Sequence, residues 1–234
     1  MGLLAQGGGN ADSNWGWGAY LLPFMDQGPL YNQLDVGNTQ LEQILDDNTL
    51  RSLVQTPYPA FRCPSDVGPA LNDKWLLRDS SEANHQTSTS NYVGTNRTIA
   101  SSRNAPWAPL TTPPNGMFWI HSKVRLRDIT DGTSNTVFIG ERAYKVGTSQ
   151  FEAGNVFGTR DDPDDAAVWA EGNRTINSHV DGFSSPHVGG CHFLMGDGAV
   201  RFISENINHN TNDAVNSTFE YLIGRNDGNV VGEF

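Results

Sequence analysis

The chain has 234 residues, of which 37% are hydrophobic and 18% are charged. This length suits one globular domain with enough apolar residues for a buried core. The formal net charge of −11 argues against nucleic acid as a partner, because phosphate binding needs a concentrated basic surface and the 15 Lys and Arg residues form no cluster. No window reaches the run of ~18 apolar residues that a membrane-spanning helix requires.

Helices are expected mainly in the first quarter of the chain. The amphipathic pattern around Leu30 predicts a short helix. A second helix is predicted over Thr39–Leu53, with Thr39 as its N-cap. The prolines that follow favour an extended segment, and residues 66–91 are predicted to be mostly loop before a short strand at 92–94.

Two strands are predicted in the middle of the chain. The first covers Lys123–Arg127, where basic and aliphatic residues alternate, and the second covers Thr136–Ile139. Asp128–Gly132 supplies the turn between them. The acidic, irregular segment at 161–165 is predicted to be a loop.

A β-hairpin is predicted over 190–204. Asp197-Gly198 lies between two apolar runs, which indicates a two-residue turn that pairs Met195 with Val200. On this register the core face carries Cys191, Phe193, Met195, Val200 and Phe202, and the opposite face carries His192, Leu194, Arg201 and Ile203.

Together these patterns predict an α+β fold. A mostly antiparallel sheet that ends in the hairpin should pack against short helices within 26–53 and 212–223. The last helix is expected to end at Gly224, and a short tail strand is expected at 229–234.

Several sequence segments resemble one bacterial family. His187 is followed after nine residues by Asp197-Gly198, within a signature region at 186–207. In the same order as in the family, the chain also carries LLPFMDQGPLYNQ, FRCPSD at 61–66, SNYVG at 90–94, DITDGTSNTVFIGER at 128–142 and GDGAVRFISENI at 196–207. The chain is therefore identified as a member of the prepilin-type H-X9-DG family.

This resemblance implies an architecture and a location. Members of the family look like type II secretion pseudopilins, with a short leader, a long hydrophobic helix and a globular head. Residues 1–234 are then expected to form a single head domain without that helix. The resemblance implies export to the cell surface or periplasm, a structural and interaction role, and other pilin-like subunits or the secretion machinery as partners.

The signature residues have two interpretations. Ten residues of extended chain span roughly 33 Å, so His187 and Asp197 cannot share one site if a strand joins them. Asp197 and Gly198 then serve the turn, and His187 holds the loop that enters the strand. The alternative is that His187 is a catalytic base or a metal ligand. As a metal ligand, His187 would belong to a set of four donors that suits a transition metal, namely His179, Asp181, His187 and His192.

Calcium is a second candidate ligand, because related pseudopilin heads bind it and oxygen donors are abundant here. The candidate donors form two groups, Asp161, Asp162, Asp164 and Asp165 in one and Asp128 and Asp131 in the other. Neither group matches the calcium loop of helix-loop-helix proteins. The alternative for the first group is a solvated acidic loop.

Six tryptophans suggest carbohydrate binding as an alternative function, since flat apolar rings stack on sugars. Trp75, Trp107 and Trp169 are predicted to be the most exposed, and the others are expected in the core. No nucleophile elbow, zinc-protease pair or phosphate loop is present, which favours a binding protein over an enzyme. A carboxylate pair that cleaves polysaccharide would leave no spacing pattern.

The chain has two cysteines, Cys63 and Cys191, which are far apart in sequence. Their spacing matches no metal motif. They form either one long-range disulfide, which export would favour, or two separate thiols.

Overall fold

The computed structural model describes residues 13–98, 114–119, 122–160, 169–172, 174–212, 214–229, 231–232 and 234, without the side chains of residues 169 and 171. Its helices are α1 Trp17–Leu21, α2 Gly28–Gln33, α3 Leu41–Asp46, α4 Asn48–Val54 and α5 Thr218–Ile223. Its strands are β1 Ser13–Trp15, β2 Leu77–Arg78, β3 Asn84–His85, β4 Thr89–Ser90, β5 Tyr92–Arg97, β6 Val137–Glu141, β7 Lys145–Val146, β8 Ser149–Gln150, β9 Gly154–Asn155, β10 Gly158–Arg160, β11 Trp169–Glu171, β12 Gly190–Met195 and β13 Val200–Ser204. None of the helices in these ranges is both long and apolar enough to cross a bilayer.

A five-stranded sheet in the order β11-β5-β6-β12-β13 is the centre of the fold. The pairs β5-β6, β6-β12 and β12-β13 are antiparallel, and β11 runs parallel to β5. The remaining strands form two-stranded ribbons around this sheet. The predicted α+β class, with a mostly antiparallel sheet, short helices and many loops, is confirmed.

Apolar clusters cover the two faces of the sheet. On the α5 face, which carries Val93 and Phe193, helix α5 packs against β5 and β6. On the N-terminal face, which carries Tyr92 and Ile139, the cluster formed by α1–α4 and the β1-β10 ribbon packs against the sheet. A bulge at Phe138 in β6 shifts the alternation of side chains between the two faces of the sheet. Val137 therefore joins the apolar cluster on the α5 face, and Ile139 joins the cluster on the N-terminal face.

The single helix predicted over Thr39–Leu53 is wrong, because the chain breaks there into α3 and α4. Asp47 adopts an extended backbone conformation, and its Oδ1 accepts hydrogen bonds from the N–H groups of Thr49 and Leu50 at 2.7 and 3.0 Å. A short acidic side chain that caps the next helix competes with continuation of the previous one. Thr39 caps neither helix and instead donates its hydroxyl to Asp35.

Three other predicted elements also differ from the structure. The strand predicted over Lys123–Arg127 is absent from described residues 122–127, where a 3-10 turn, Leu126–Asp128, begins after Arg125. Asp128 Oδ2 accepts a hydrogen bond from the Arg125 N–H at 2.8 Å, so local bonds replace a strand ladder. Helix α5 ends before Gly224 as predicted but begins at Thr218 rather than Asn212, and no strand occurs in the described tail residues.

The C-terminal hairpin is confirmed, but its predicted register is wrong by one residue. Leu194 pairs with Val200, and the Met195 N–H donates to the Ala199 carbonyl at 2.8 Å. The loop therefore has three residues, 196–198, and Gly198 has the positive φ of 88° that such loops require.

This register changes which side chains of β13 face inward. Cys191, Phe193 and Met195 of β12 are buried as predicted. In β13, however, Ile203 is buried, whereas Val200 and Phe202 are 66% and 45% exposed. A one-residue slip moves every side chain of a strand to the opposite face.

Candidate functional site

Glu141 ends β6 and places its carboxylate on the N-terminal face, beside β12. The His192 N–H donates to Glu141 Oε2 over 2.7 Å, and the glutamate side chain is only 8% exposed. The other oxygen, Oε1, lies 3.3 Å from His187 Nε2. Because a charged carboxylate is costly to bury alone, the short hydrogen bond from the His192 N–H helps to keep it in this position.

His187 lies in the loop that leads into β12. Its N–H donates to Ser185 Oγ at 3.3 Å, and the Ser185 N–H donates to Asn177 Oδ1 at 2.9 Å. Pro186, between them, restricts the backbone further. The His187 side chain is 32% exposed, so one side of its ring is accessible from solvent.

Cys63 reaches the same place from the N-terminal part of the chain. Its N–H donates to Asn91 Oδ1 at 3.0 Å. The buried Asn91 amide in turn donates to Asp66 Oδ2 at 2.6 Å and to the Arg142 carbonyl at 3.0 Å. One asparagine thus fixes the cysteine backbone relative to β5 and the end of β6.

The donor atoms of Cys63, Glu141 and His187 converge. One ligand atom from each lies within 4.8 Å of the others, and Cys63 Sγ is 3.8 Å from His187 Nε2. Within the described ranges, no other set of three or more His, Cys, Asp or Glu donors is so arranged. We call these three residues the Cys-Glu-His cluster.

His192 forms one wall of the cluster. Its Nδ1 is 3.4 Å from Glu141 Oε2, and its ring is perpendicular to that of His187, with centroids 5.1 Å apart. The side chain is 45% exposed, in agreement with its predicted position on the less buried face. The ring of Phe202 covers it from β13, with centroids 5.1 Å apart.

The cluster also affects a neighbouring phenol. Tyr92 is the cross-strand partner of Glu141. Burial raises the pKa of Tyr92, and electrostatic interactions with Cys63 and Glu141 raise it further. Tyr92 is therefore a neutral hydroxyl beside the cluster at physiological pH.

The two cysteines are separate, free thiols, and both are buried. Of the two alternatives, one long-range disulfide or two separate thiols, the structure shows the separate thiols. Cys191 lies on the α5 face, where burial strongly raises its pKa and the charges of Glu141 and Glu205 add to the rise. Cys63 alone has its thiol beside ionisable groups of the cluster.

The positions of Cys63, Glu141 and His187 distinguish a nucleophile relay from a set of donors that face one common centre. In a nucleophile relay the histidine uses one ring nitrogen for the nucleophile and the other for the orienting carboxylate. Here the thiol and the carboxylate both approach the same atom, His187 Nε2. The geometry resembles donors arranged around a common centre, and it lacks the order of a relay.

The family model described as "Protein of unknown function (DUF1559)" matches residues 1–210 of the 234. The chain belongs to this family. It is the bacterial prepilin-like family that the sequence segments indicate. Neither curated proteins nor solved structures give a match. The family description names no function.

Segments that carry the DUF1559 resemblance meet at the cluster. FRCPSD contributes Cys63, SNYVG contributes Asn91, DITDGTSNTVFIGER contributes Glu141, and the H-X9-DG segment contributes His187. These residues are separated by up to 124 positions, and the folded sheet brings them together. Cys63 and Glu141 match no spacing rule, so position within the motif segments is the one sequence signal that could have identified them.

The four donors predicted around His187 do not form one site in the structure. His187 and His192 flank Glu141, whereas His179 Nδ1 pairs with Asp181 Oδ2 at 3.3 Å. Asp197 and Gly198 form the turn at the opposite end of β12 from His187, and Asp197 Oδ1 accepts a hydrogen bond from the Ala199 N–H.

Two of the predicted calcium donors, Asp128 and Asp131, lie in the described residues, and both accept hydrogen bonds from backbone N–H groups. Asp131 is 3% exposed and accepts hydrogen bonds from the N–H groups of Asp227 and Gly228 at 2.7 and 3.0 Å. Asp128 accepts from the Arg125 N–H. Asp161, Asp162, Asp164 and Asp165 lie outside the described residues. Calcium binding stays a prediction.

The tryptophans proposed for carbohydrate binding are described only in part. Trp75 is half-buried, packs against the N-terminal cluster and donates its indole N–H to the Glu152 carbonyl at 2.9 Å. Trp107 and the side chain of Trp169 lie outside the described residues. Carbohydrate binding through these rings stays a prediction.

Proposed function

We propose that this chain is the globular head of an exported pilin-like subunit, located at the cell surface or in the periplasm, which acts by binding other subunits. Membership of the prepilin-like family supports the class. The observation that carries the interaction role is the open edge of the central sheet at β13, which has exposed apolar side chains.

Strand β13 is the last strand of the sheet on its side, and within the described ranges no strand pairs with its outer edge. Its outward residues Val200 and Phe202 are 66% and 45% exposed. Edge strands of monomeric proteins are usually protected by charged side chains or proline. The charged residue of β13, Arg201, has its guanidinium over the Phe234 ring, and Val200 and Phe202 give no such protection. The edge is therefore suited to strand addition.

The partner that we propose for this edge is a second copy of the chain. Two identical edges pair antiparallel about a twofold axis, so that Val200 and Phe202 of each copy contribute to one continuous apolar strip. The net charge of −11 opposes this contact at a distance, and added salt screens that repulsion. Self-association should therefore strengthen as ionic strength rises.

Location is tested with the complete gene product in a bacterial host. We expect the protein in the envelope or periplasmic fraction, and we expect externally added protease to reach it on intact or osmotically shocked cells. Recovery in the cytosol, protected from protease under both conditions, would contradict export.

The edge is tested by sedimentation of the purified head at increasing concentration and salt. Phe202→Lys should weaken self-association by at least about tenfold, the effect of losing 1.4 kcal/mol at an interface. Phe24→Lys is the matched control, because Phe24 is 75% exposed on a 3-10 turn outside the sheet. Equal effects of the two substitutions, or a monomer at all concentrations, would rule out this edge.

A further inference from the structure

We propose that Cys63, Glu141 and His187 form a binding site for a divalent transition-metal ion, with Zn²⁺ as the best-suited ion. Metal binding here is a separate proposal from the subunit role, because the three donors belong to one chain and none of them lies in β13.

The spacing of the donor atoms supports this proposal. In tetrahedral zinc sites, bond lengths of about 2.0–2.3 Å place neighbouring ligand atoms about 3.3–3.6 Å apart. In the cluster, His187 Nε2 is 3.3 Å from Glu141 Oε1 and 3.8 Å from Cys63 Sγ. These two distances are within a few tenths of an ångström of the tetrahedral values, and Cys63 Sγ and a Glu141 carboxylate oxygen lie within 4.8 Å of each other.

The contacts of His187 Nε2 with Glu141 and Cys63 are also poor hydrogen bonds. Good N–H···O bonds are about 2.7–3.2 Å long. At 3.3 Å the contact from His187 to Glu141 is longer than that, and a single proton on Nε2 cannot point at both the carboxylate and the thiol. A cation in front of Nε2 would satisfy all three donors at once.

Surrounding bonds already orient the three donors. The His192 N–H binds Glu141 Oε2 and leaves Oε1 free to face the ion. Asn91 holds the backbone of Cys63, and Pro186 restricts the backbone that leads into His187. Outer partners of this kind fix ligand geometry in metal sites and add to metal affinity.

The chemistry of the donors selects the class of metal. Calcium and magnesium prefer sets made entirely of oxygen ligands, whereas a thiolate, an imidazole and a carboxylate together suit zinc and its neighbours in the first transition row. Three protein ligands leave a fourth position for water, as in zinc sites that bind further ligands. The partial exposure of His187 provides a route for the ion.

The experiment uses the purified protein in a reductant that lacks thiols. Zn²⁺ is titrated against a chromogenic chelator, and Co²⁺ is used as a spectroscopic probe. We expect one ion per chain, a cobalt spectrum typical of four-coordination, and a near-ultraviolet sulfur-to-cobalt band that reports Cys63. Zn²⁺ should displace Co²⁺ from the site.

Substitutions then test each donor. His187→Ala, Glu141→Gln and Cys63→Ser should each weaken Zn²⁺ binding by more than about 100-fold, beyond the effect of losing an outer hydrogen-bond partner. His179→Ala is the matched histidine control, because His179 pairs with Asp181 outside the cluster. Cys191→Ala is the thiol control, because Cys191 lies on the opposite face. Both controls should keep the affinity and the sulfur band.

Circular dichroism of each variant without metal shows whether it has folded. Glu141→Gln preserves shape and an acceptor for the His192 N–H, so it tests the site even if Cys63→Ser misfolds. The proposal is overturned if the unsubstituted protein binds neither ion. It is also overturned if folded Glu141→Gln and His187→Ala keep the original affinity, or if the sulfur band depends on Cys191.

Discussion

The two faces of the central sheet differ sharply although they are built from the same strands. On the α5 face, the rings of Phe183, Phe193 and Phe219 are at most 1% exposed and meet edge to face. On the N-terminal face, next to β12, Glu141 and His192 form a polar, partly exposed surface. Strand alternation places Cys191 and His192, neighbours in sequence, on opposite faces. The buried rings that stabilise the fold and the polar residues Glu141 and His192 thus lie on opposite faces of one sheet.

Removal of a ring from the α5 face should have the largest effect. Phe193→Ala is expected to lower the free energy of unfolding by about 3–5 kcal/mol, since a fully buried ring is replaced by a cavity. Phe202→Ala, on the other face and 45% exposed, should cost no more than about 1 kcal/mol. Urea denaturation of the monomeric proteins measures both. Similar losses would mean that the two faces contribute equally to stability.

Gly140 tests how closely the α5 face is packed. An added methyl group there would collide with the rings of Phe183 and Phe193, so Gly140→Ala should destabilise the protein by about 1–3 kcal/mol through overpacking. Gly28→Ala is the control, because a methyl group added there, at the start of α2, would project into open space. If the two alanines have equal effects on the urea midpoint, the α5 face is looser than its distances indicate.

On the N-terminal face, metal binding should change the stability of the protein more than removal of a side chain does. His187→Ala should change the stability of the metal-free protein by less than about 1 kcal/mol, because the side chain is partly exposed. Zn²⁺ at a hundred times its Kd should stabilise the unsubstituted protein by about 2.7 kcal/mol, which corresponds to a Tm increase of about 5–10 °C. Thermal melts with Zn²⁺ and with chelator should show this increase in Phe202→Ala and not in His187→Ala. An increase in both would place the ion elsewhere.

The sequence predicted local features better than distant contacts. Helix formation around Leu41 and Ile44 follows from apolar periodicity, and the hairpin follows from Asp197-Gly198. The break at Asp47 and the three-residue loop were missed, because local hydrogen bonds of short polar side chains and a one-residue choice of register decide them.

The cluster could not be predicted from spacing for a different reason. Cys63 and His187 are 124 residues apart, and the bonds of Asn91 and the pairing of β6 with β12 bring them together. Of its members, the sequence indicates His187 as a metal ligand, but in a set with His179, Asp181 and His192. In the structure His179 and Asp181 form a separate pair, whereas His192 lies beside Glu141. Proximity along the chain was a poor guide to proximity in the fold.

A polar contact lies next to the C-terminal end of α5. After α5 ends, Asp131 accepts hydrogen bonds from the backbone of Asp227 and Gly228. Asp227 Oδ2 is buried and receives no hydrogen bond. Burial raises the pKa of Asp227 above its usual value, and the adjacent Asp131 carboxylate adds to the rise.

The smallest predicted effect follows from this contact. Because the folded pKa of Asp227 is raised, the stability contributed by its proton is complete below the unfolded pKa of about 3.9 and is lost as pH rises through the folded value. Asp227→Asn keeps an acceptor for the Asn229 N–H and carries no charge. At pH 7 it should therefore be more stable than the unsubstituted protein, by at most about 1 kcal/mol because solvent screens the half-buried pair. Melts from pH 3 to pH 8 should show the two proteins converging at acid pH, and a difference that grows toward acid would reverse the assigned sign.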